Sequence, residues 1–344
     1  MKVKKEIIIT EQDSNKRIDR YLTDNYPHIS RNQWQERIKN GNVLVNEKPV
    51  RNSYILKTND IITFYYYKKP EPEVNHHFKI IFEDDDLLII DKPPNLPVHP
   101  SGNYKKNTLY TLLKEQYNYE YCHPINRIDR ETSGLILFGK NPEIIRNISK
   151  IFLTNQISKI YYTIVFGKFT KHQILEGYIG KHIHSKVIKR QMFINKNSLM
   201  DFLKLYKNNY SDNTESFTIF YNNHNYIYRY AKTEFIPEKI KTIEHPLYNE
   251  ITLIKVKLYT GRTHQIRATL KDSGFPIVGD KIYGLNENYF LKFLDDTINN
   301  RDYQILLLNR CALHCYEMSF VHPGTKKLIS IKSSLPEDFQ TLLK

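Results

Sequence analysis

The chain predicts an α+β protein of two domains, and three observations carry that prediction. Its 344 residues exceed what one compact core usually takes. A helix pair and short strands fill residues 1–70, and a stretch bearing prolines and charges follows, "YKKPEPEVNHH" at 67–77. Beyond it, strands and helices succeed one another without the regular alternation of a doubly wound sheet. The predicted division is a small domain over 1–70, a linker over 71–78 and a large domain over 79–340.

In the small domain, Ile18, Tyr21 and Leu22 of "KRIDRYLTDNY" lie at helical spacing. The next helix opens on Ser30 with Gln33 three residues on, a capping-box pattern. Trp34 and Ile38 share its apolar face and Gly41 supplies the stop. Arg31, Gln35 and Lys39, spaced by four, form a polar and mostly basic stripe. "NVLVNEKPV" (42–50) and "DIITFYYY" (60–67) read as strands.

In the large domain, "FKIIFEDDDLLIIDKPPNLPVHPSG" (78–102) gives two strands and a proline-rich loop. "NTLYTLLKEQY" (107–117) reads as a helix and "SGLILFGKN" (133–141) as a strand. "PEIIRNISKIFLTN" (142–155) is an amphipathic helix with Pro142 in its first turn. "KIYYTIVFGKF" (159–169) is a strand, and "ITLIKVKLYTGRTHQIRATLKDSG" (251–274) a strand, a glycine turn and a helix. Residues 191–230, rich in Asn and Tyr, carry no chemical motif and read as an insertion of irregular or hairpin structure.

Lys and Arg number 51 against 37 Asp and Glu, a net charge of +14, which suggests a polyanionic partner. A lysine-rich coding bias is the plainer source of such a surplus. Cys122, Cys311 and Cys315 make no disulfide framework, and with no second ligand pair at zinc-like spacing "CALHC" (311–315) reads as a strand, not a metal site. No apolar stretch approaches the ~18 residues of a membrane span, and the apolar run of the N-terminus is too short for a secretory signal. The expectation is a cytoplasmic monomer in a reducing compartment, with no membrane partner.

Three separated segments carry candidate chemistry: "NRIDRETSG", "KIYY" and "GRTHQIR". Asp129 stands between Arg127 and Arg130, just before the apolar run "LILF". Taken singly, Asp129 reads as a salt-bridged turn residue, Arg262 as a brace of a turn and Tyr161 as core. Together they resemble the RluA-type family of RNA pseudouridine synthases. That family's loop, His-Arg-Leu-Asp-x-x-Thr-Ser-Gly, appears as Asn126 to Asp129 with Thr132, Ser133 and Gly134 at the right spacing. Its Lys-x-Tyr matches Lys159 and Tyr161, followed by Gly167, and Gly-Arg-Thr-His-Gln-Ile-Arg stands whole at 261–267. "DKPPNLPVHPSG" and "RCALHCYEMSFVHPGTKK" (310–327) are similar to two further family segments, and 15–65 resembles an S4 RNA-binding module. Asn126 departs from the usual His.

The resemblance implies a catalytic domain with a mixed, mainly antiparallel central sheet flanked by helices and loops. It implies isomerisation of uridine in tRNA or rRNA with no cofactor and no metal. It makes Asp129 the catalytic carboxylate, Arg262 its bidentate partner and Tyr161 the ring against which a flipped uracil stacks. It directs Arg17, Arg20, Arg31 and Lys39 of the S4-like module to RNA phosphates, and Arg127 and Arg130 to RNA phosphate or neighbouring structure. "PVHPSGNYKKNTL" (97–109) is similar to the loop of family members that modify tRNA position 32. A non-catalytic RNA-binding protein on the same fold is the competing reading. A hydrolase built on Asp129 lacks a second placed carboxylate, since Glu131 is too close in sequence.

Overall fold

The computed structural model describes every residue except 1, 27–28, 68–69, 118, 120, 155, 207–209, 214 and 223. The chain divides into two compact units, residues 1–71 and 72–344. Of the proline- and charge-bearing stretch 67–77, Lys68 and Lys69 lie outside the described residues.

In the first unit the helices are Ile18–Asn25 and Arg31–Lys39. Ser30 accepts from Gln33 N, and the Gln33 side chain accepts from Ser30 N, so both halves of the capping box are present. Trp34, Ile38, Ile18 and Leu22 are buried together against Val43, Ile62 and Phe64. Lys2–Ile8, Ile61–Tyr67, Val43–Val45 and Lys48–Pro49 form a four-stranded antiparallel sheet in that order. Asn46 and Glu47, both with positive φ, make the two-residue turn of its hairpin.

The second unit is built on a thirteen-stranded sheet. Its path runs Gln191–Asn195, Gln173–Lys181, His224–Thr242, Glu250–Leu258, Ser158–Phe166, Leu313–Val321, Ser133–Gly139, Leu87–Lys92 and Lys79–Glu83. Neighbours on this path are antiparallel except one pair, Leu313–Val321 beside Ser133–Gly139. The apolar run after Asp129 is therefore a central strand, and its seven residues are all buried. Leu135 and Leu137 enter one core with Leu87 and Ile89, while Ile136 and Phe138 enter another with Leu88 and Ile90. The amphipathic helix Pro142–Leu153 packs on this strand, with Ile144 and Ile148 buried.

Of the irregular and hairpin forms expected for 191–230, the structure shows hairpins. Gln191–Asn195 joins the main sheet, and the long His224–Thr242 strand continues from it into a hairpin with Ser216–Tyr221. The tyrosines are the reason: Tyr178 and Tyr228 pack with Phe217, Ile219, Ile194 and Leu203 into a separate core.

The parallel pair requires close approach at Gly134, whose φ is +104°. A Cβ there would stand 2.2 Å from the Cys315 carbonyl oxygen. Gly134→Ala should cost about 3–5 kcal/mol, the sum of backbone strain and overpacking, read as a lowered denaturation midpoint of the second unit.

Candidate active site

Asp129 lies in the loop that feeds the Ser133–Gly139 strand. Its carbonyl accepts from Thr132 N at 3.1 Å, closing a tight turn. Fully buried Lys92 donates to the carbonyls of Pro93 at 2.7 Å and Arg130 at 3.2 Å, tying that turn to the end of the Leu87–Lys92 strand. Asn126 Oδ1 accepts from Leu137 N at 2.8 Å, so the residue in the unusual position holds the loop to the sheet.

The expected partnership of Asp129 with Arg262 is corrected by the structure: the partner is Arg267. Arg267 Nη1 donates to Asp129 Oδ2 at 2.5 Å. Its Nε and Nη2 donate to the two carboxylate oxygens of fully buried Asp280, at 2.6 and 2.8 Å. The reason is placement. Arg262 sits in the turn before the Gln265–Asp272 helix, and its Nε donates to the Tyr230 carbonyl at 2.9 Å. Arg267 lies inside that helix on the face that enters the protein, only 7 % exposed. The sequence held the signal, since "GRTHQIR" ends on a second arginine, next to the apolar Ile266. A buried arginine needs a buried counter-charge.

His264, in the left-handed conformation at φ 55°, caps the same helix and brings Nε2 to 3.6 Å from Asp129 Oδ1. Gln191 N donates to the Tyr283 hydroxyl at 2.7 Å, and that hydroxyl meets His264 Nδ1 at 2.9 Å, donating to it because the acceptor-only Asp129 carboxylate faces the other ring nitrogen. This network puts the imidazole proton on Nε2, facing Asp129. Burial holds His264 down to about 4, so it is uncharged at neutral pH. For Asp129, burial pushes the carboxyl up, but nearby positive charge and the Arg267 hydrogen bond outweigh it, and the net shift is downward. The charges that lower it are those of His264, which titrates in the same acid range, and of Arg267.

Asp129 opens into a cavity that Tyr161, Arg127, Thr132, Arg262 and Leu313 also line. Tyr161, on the Ser158–Phe166 strand, is 6 % exposed, and burial raises its phenol well above the ordinary value. Arg127 is exposed at this cavity. Arg130 is committed to the protein, bound to Glu131 at 3.0 Å and the Tyr104 hydroxyl at 2.6 Å, with Phe293 under its guanidinium. Glu131 also receives Lys281 Nζ and Cys311 N, which makes it a structural carboxylate. Lys189 was missed in the sequence: it lies over the Phe290 ring and feels the charges of Arg267, Arg130 and Asp129. Nothing in its spacing marks it out.

In the first unit, Arg17 and Arg31 both bind fully buried Asp19, Arg17 through Nε at 3.0 Å and Arg31 through Nη2 at 2.8 Å. Arg20 and Lys39 are exposed.

The family model described as RNA pseudouridylate synthase matches residues 86–272, and the S4 domain model matches 16–62. The chain belongs to the RNA pseudouridylate synthase family, in its RluA-type branch with an N-terminal S4 domain. It is 30 % identical to ribosomal large subunit pseudouridine synthase C of Buchnera aphidicola subsp. Baizongia pistaciae, over 98 % of this chain and 95 % of that one. It is 30 % identical to the mitochondrial tRNA pseudouridine(32) synthase of Saccharomyces cerevisiae, over 74 % of this chain and 47 % of that one. The structure of human RNA pseudouridylate synthase domain containing 1 matches with a TM-score of 0.54 at 17 % identity, covering 80 % of this chain and 89 % of that one.

Asp129 should therefore be ionised throughout the neutral range, with activity falling only below the ordinary carboxylate value of about 3.9. Arg267→Gln, paired with Asp280→Asn so that Asp280 is not left as an unpaired buried charge, removes the Arg267 charge and hydrogen bond that help hold the Asp129 carboxyl down against burial. The acid limb of the remaining activity should then move up by about 1–3 pH units, read from a pH–rate profile.

Proposed function

We propose that the chain isomerises specific uridines to pseudouridine in structured RNA, tRNA or rRNA, with Asp129 acting at the ribose–uracil junction. The observation that supports this most is a carboxylate kept ionised by Arg267 at the wall of a cavity it shares with the ring of Tyr161. The reaction breaks the bond from ribose C1′ to uracil N1, turns the base and rejoins it through C5. It is redox-neutral and calls for no electron carrier. A carboxylate has two routes at that junction, attack on C1′ or removal of a ribose proton, and both require it to be charged.

A stacked uridine must leave its helix to reach such a cavity, at a cost of a few kcal/mol. Tyr161 offers a ring for the flipped uracil. Its raised pKa keeps it a neutral phenol, suited to stacking and hydrogen bonding rather than to taking up a proton. Arg262 and exposed Arg127 supply positive charge at the cavity. Arg20 and Lys39, with the outer edges of Arg17 and Arg31, are the basic groups of the S4 domain for RNA phosphates. The non-catalytic alternative leaned on Asn126. That side chain fastens the loop to Leu137 N and leaves the carboxylate arrangement intact.

Pseudouridine mapping of tRNA and rRNA from cells with and without the gene tests the proposal and names the target. At least one site should disappear and return with the wild-type gene. Asp129→Asn should fail to restore it, losing more than about a thousandfold in turnover, with RNA affinity unchanged within about twofold. Full conversion by that variant would sink the assignment.

A further inference from the structure

We propose that a second cleft, which shares Arg262 with the Asp129 cavity, holds a phosphodiester of the RNA strand flanking the flipped uridine, between Arg229 and Arg262. The cleft has a volume of about 270 Å³. Its walls are Ile179 and Gly180 of the Gln173–Lys181 strand, Ile227 and Arg229 of the His224–Thr242 strand, and the turn at Gly261 and Arg262. Arg229 thus comes from the stretch that carries no motif in the sequence. It faces Ile179 across the strand pair. The inference rests on the reading of the chain as an RNA isomerase.

Three observations carry it. First, the two guanidinium groups are neighbours, and among the described residues neither makes an ion pair. Arg262 is fixed by its Nε on the Tyr230 carbonyl and by its backbone N on Gln265 Oε1, which leaves its two terminal nitrogens uncommitted. Burial, and then the charge of Arg229, lower the Arg262 pKa, opposed by the charge of Glu215. Two cations held together in this way are matched by an anion with several oxygens, and a phosphodiester fits the fork geometry of guanidinium.

Second, Gly261 has no internal reason to be glycine. Its φ lies outside the left-handed region, and an added Cβ would meet only Lys159 Nζ, at 3.7 Å. Backbone left bare without need of the fold suits close approach by a ligand. Third, Arg262 lines both the Asp129 cavity and this cleft. An anion here is one side chain from the reacting nucleotide, yet in a cleft that the Asp129 carboxylate, which would repel it, does not line. A flanking phosphate meets both conditions.

The test is the salt dependence of binding by the full chain, with a fluorescein-labelled oligouridylate of about 20 nucleotides as probe; each phosphate contact to a single strand adds about 0.7 to the slope of log Kd against log salt. Arg229→Ala should lower that slope by about one such increment, and Arg229→Lys should keep it. Lys171→Ala removes an exposed lysine near the other end of the same strand pair and should leave the slope unchanged. The proposal is overturned if Arg229→Ala keeps the wild-type slope or changes it no more than Lys171→Ala. It is equally overturned if the variant loses affinity for inorganic phosphate alone. Failure of the wild-type chain to form pseudouridine would instead strike the functional reading, through a separate measurement.

Discussion

The arrangement depends on one arginine holding two carboxylates. Arg267 spends two of its nitrogens on Asp280, which is wholly buried and further fixed by the backbone N–H groups of Ile282 and Tyr283. Only the third nitrogen reaches Asp129. A lysine would supply the charge but could not keep one carboxylate locked while presenting a donor to another. The buried pair therefore sets the direction from which Asp129 is addressed, and the guanidinium does not have to reorganise when the substrate arrives.

The sheet supplies the rest of the geometry. Asp129 enters from the start of one central strand, Tyr161 stands on a second, and Cys315 on a third lies between them, paired with Gly134 on one side and Tyr161 on the other. Neighbouring strands have a fixed spacing, so the Tyr161 ring and the strand that anchors the Asp129 loop are held in place by main-chain hydrogen bonds. Lys92 adds a tether from beneath. Burial lowers its pKa well below the ordinary value, and two carbonyl oxygens surround its nitrogen.

Much of this was legible in the sequence, for reasons that differ by element. The capping box at Ser30 and Gln33, and the strand–turn–helix ending in "GRTHQIR", are local signals, and local chemistry decided them. Asp129 and Tyr161 were found through motif likeness, which carries long-range information that a single residue does not. The partner of Asp129 was misassigned because the motif offers two arginines, and the choice between them depends on which faces the interior. That depends in turn on Asp280, which no spacing rule connects to Asp129. The hairpin alternative for 191–230 is the one that the structure shows, but its pairing with the main sheet comes from aromatic packing across strands, which composition does not reveal.

The parallel pairing of Ser133–Gly139 with Leu313–Val321 has a consequence for when the protein becomes an enzyme. Ser133 Oγ and His314 Nδ1 meet at 2.9 Å although 181 residues separate them in the chain. On that side His123–Pro124 lies beside the far end of the strand that follows Asp129, but Ser133 and Gly134 have no neighbour there until the segment around 314 has been made. A growing chain on the ribosome thus contains Asp129, Tyr161 and Arg267 well before it contains the strand that sets them side by side. The arrangement is completed in one late step of synthesis, and a prematurely ended chain carries Asp129, Tyr161 and Arg267 without the strand that brings them together.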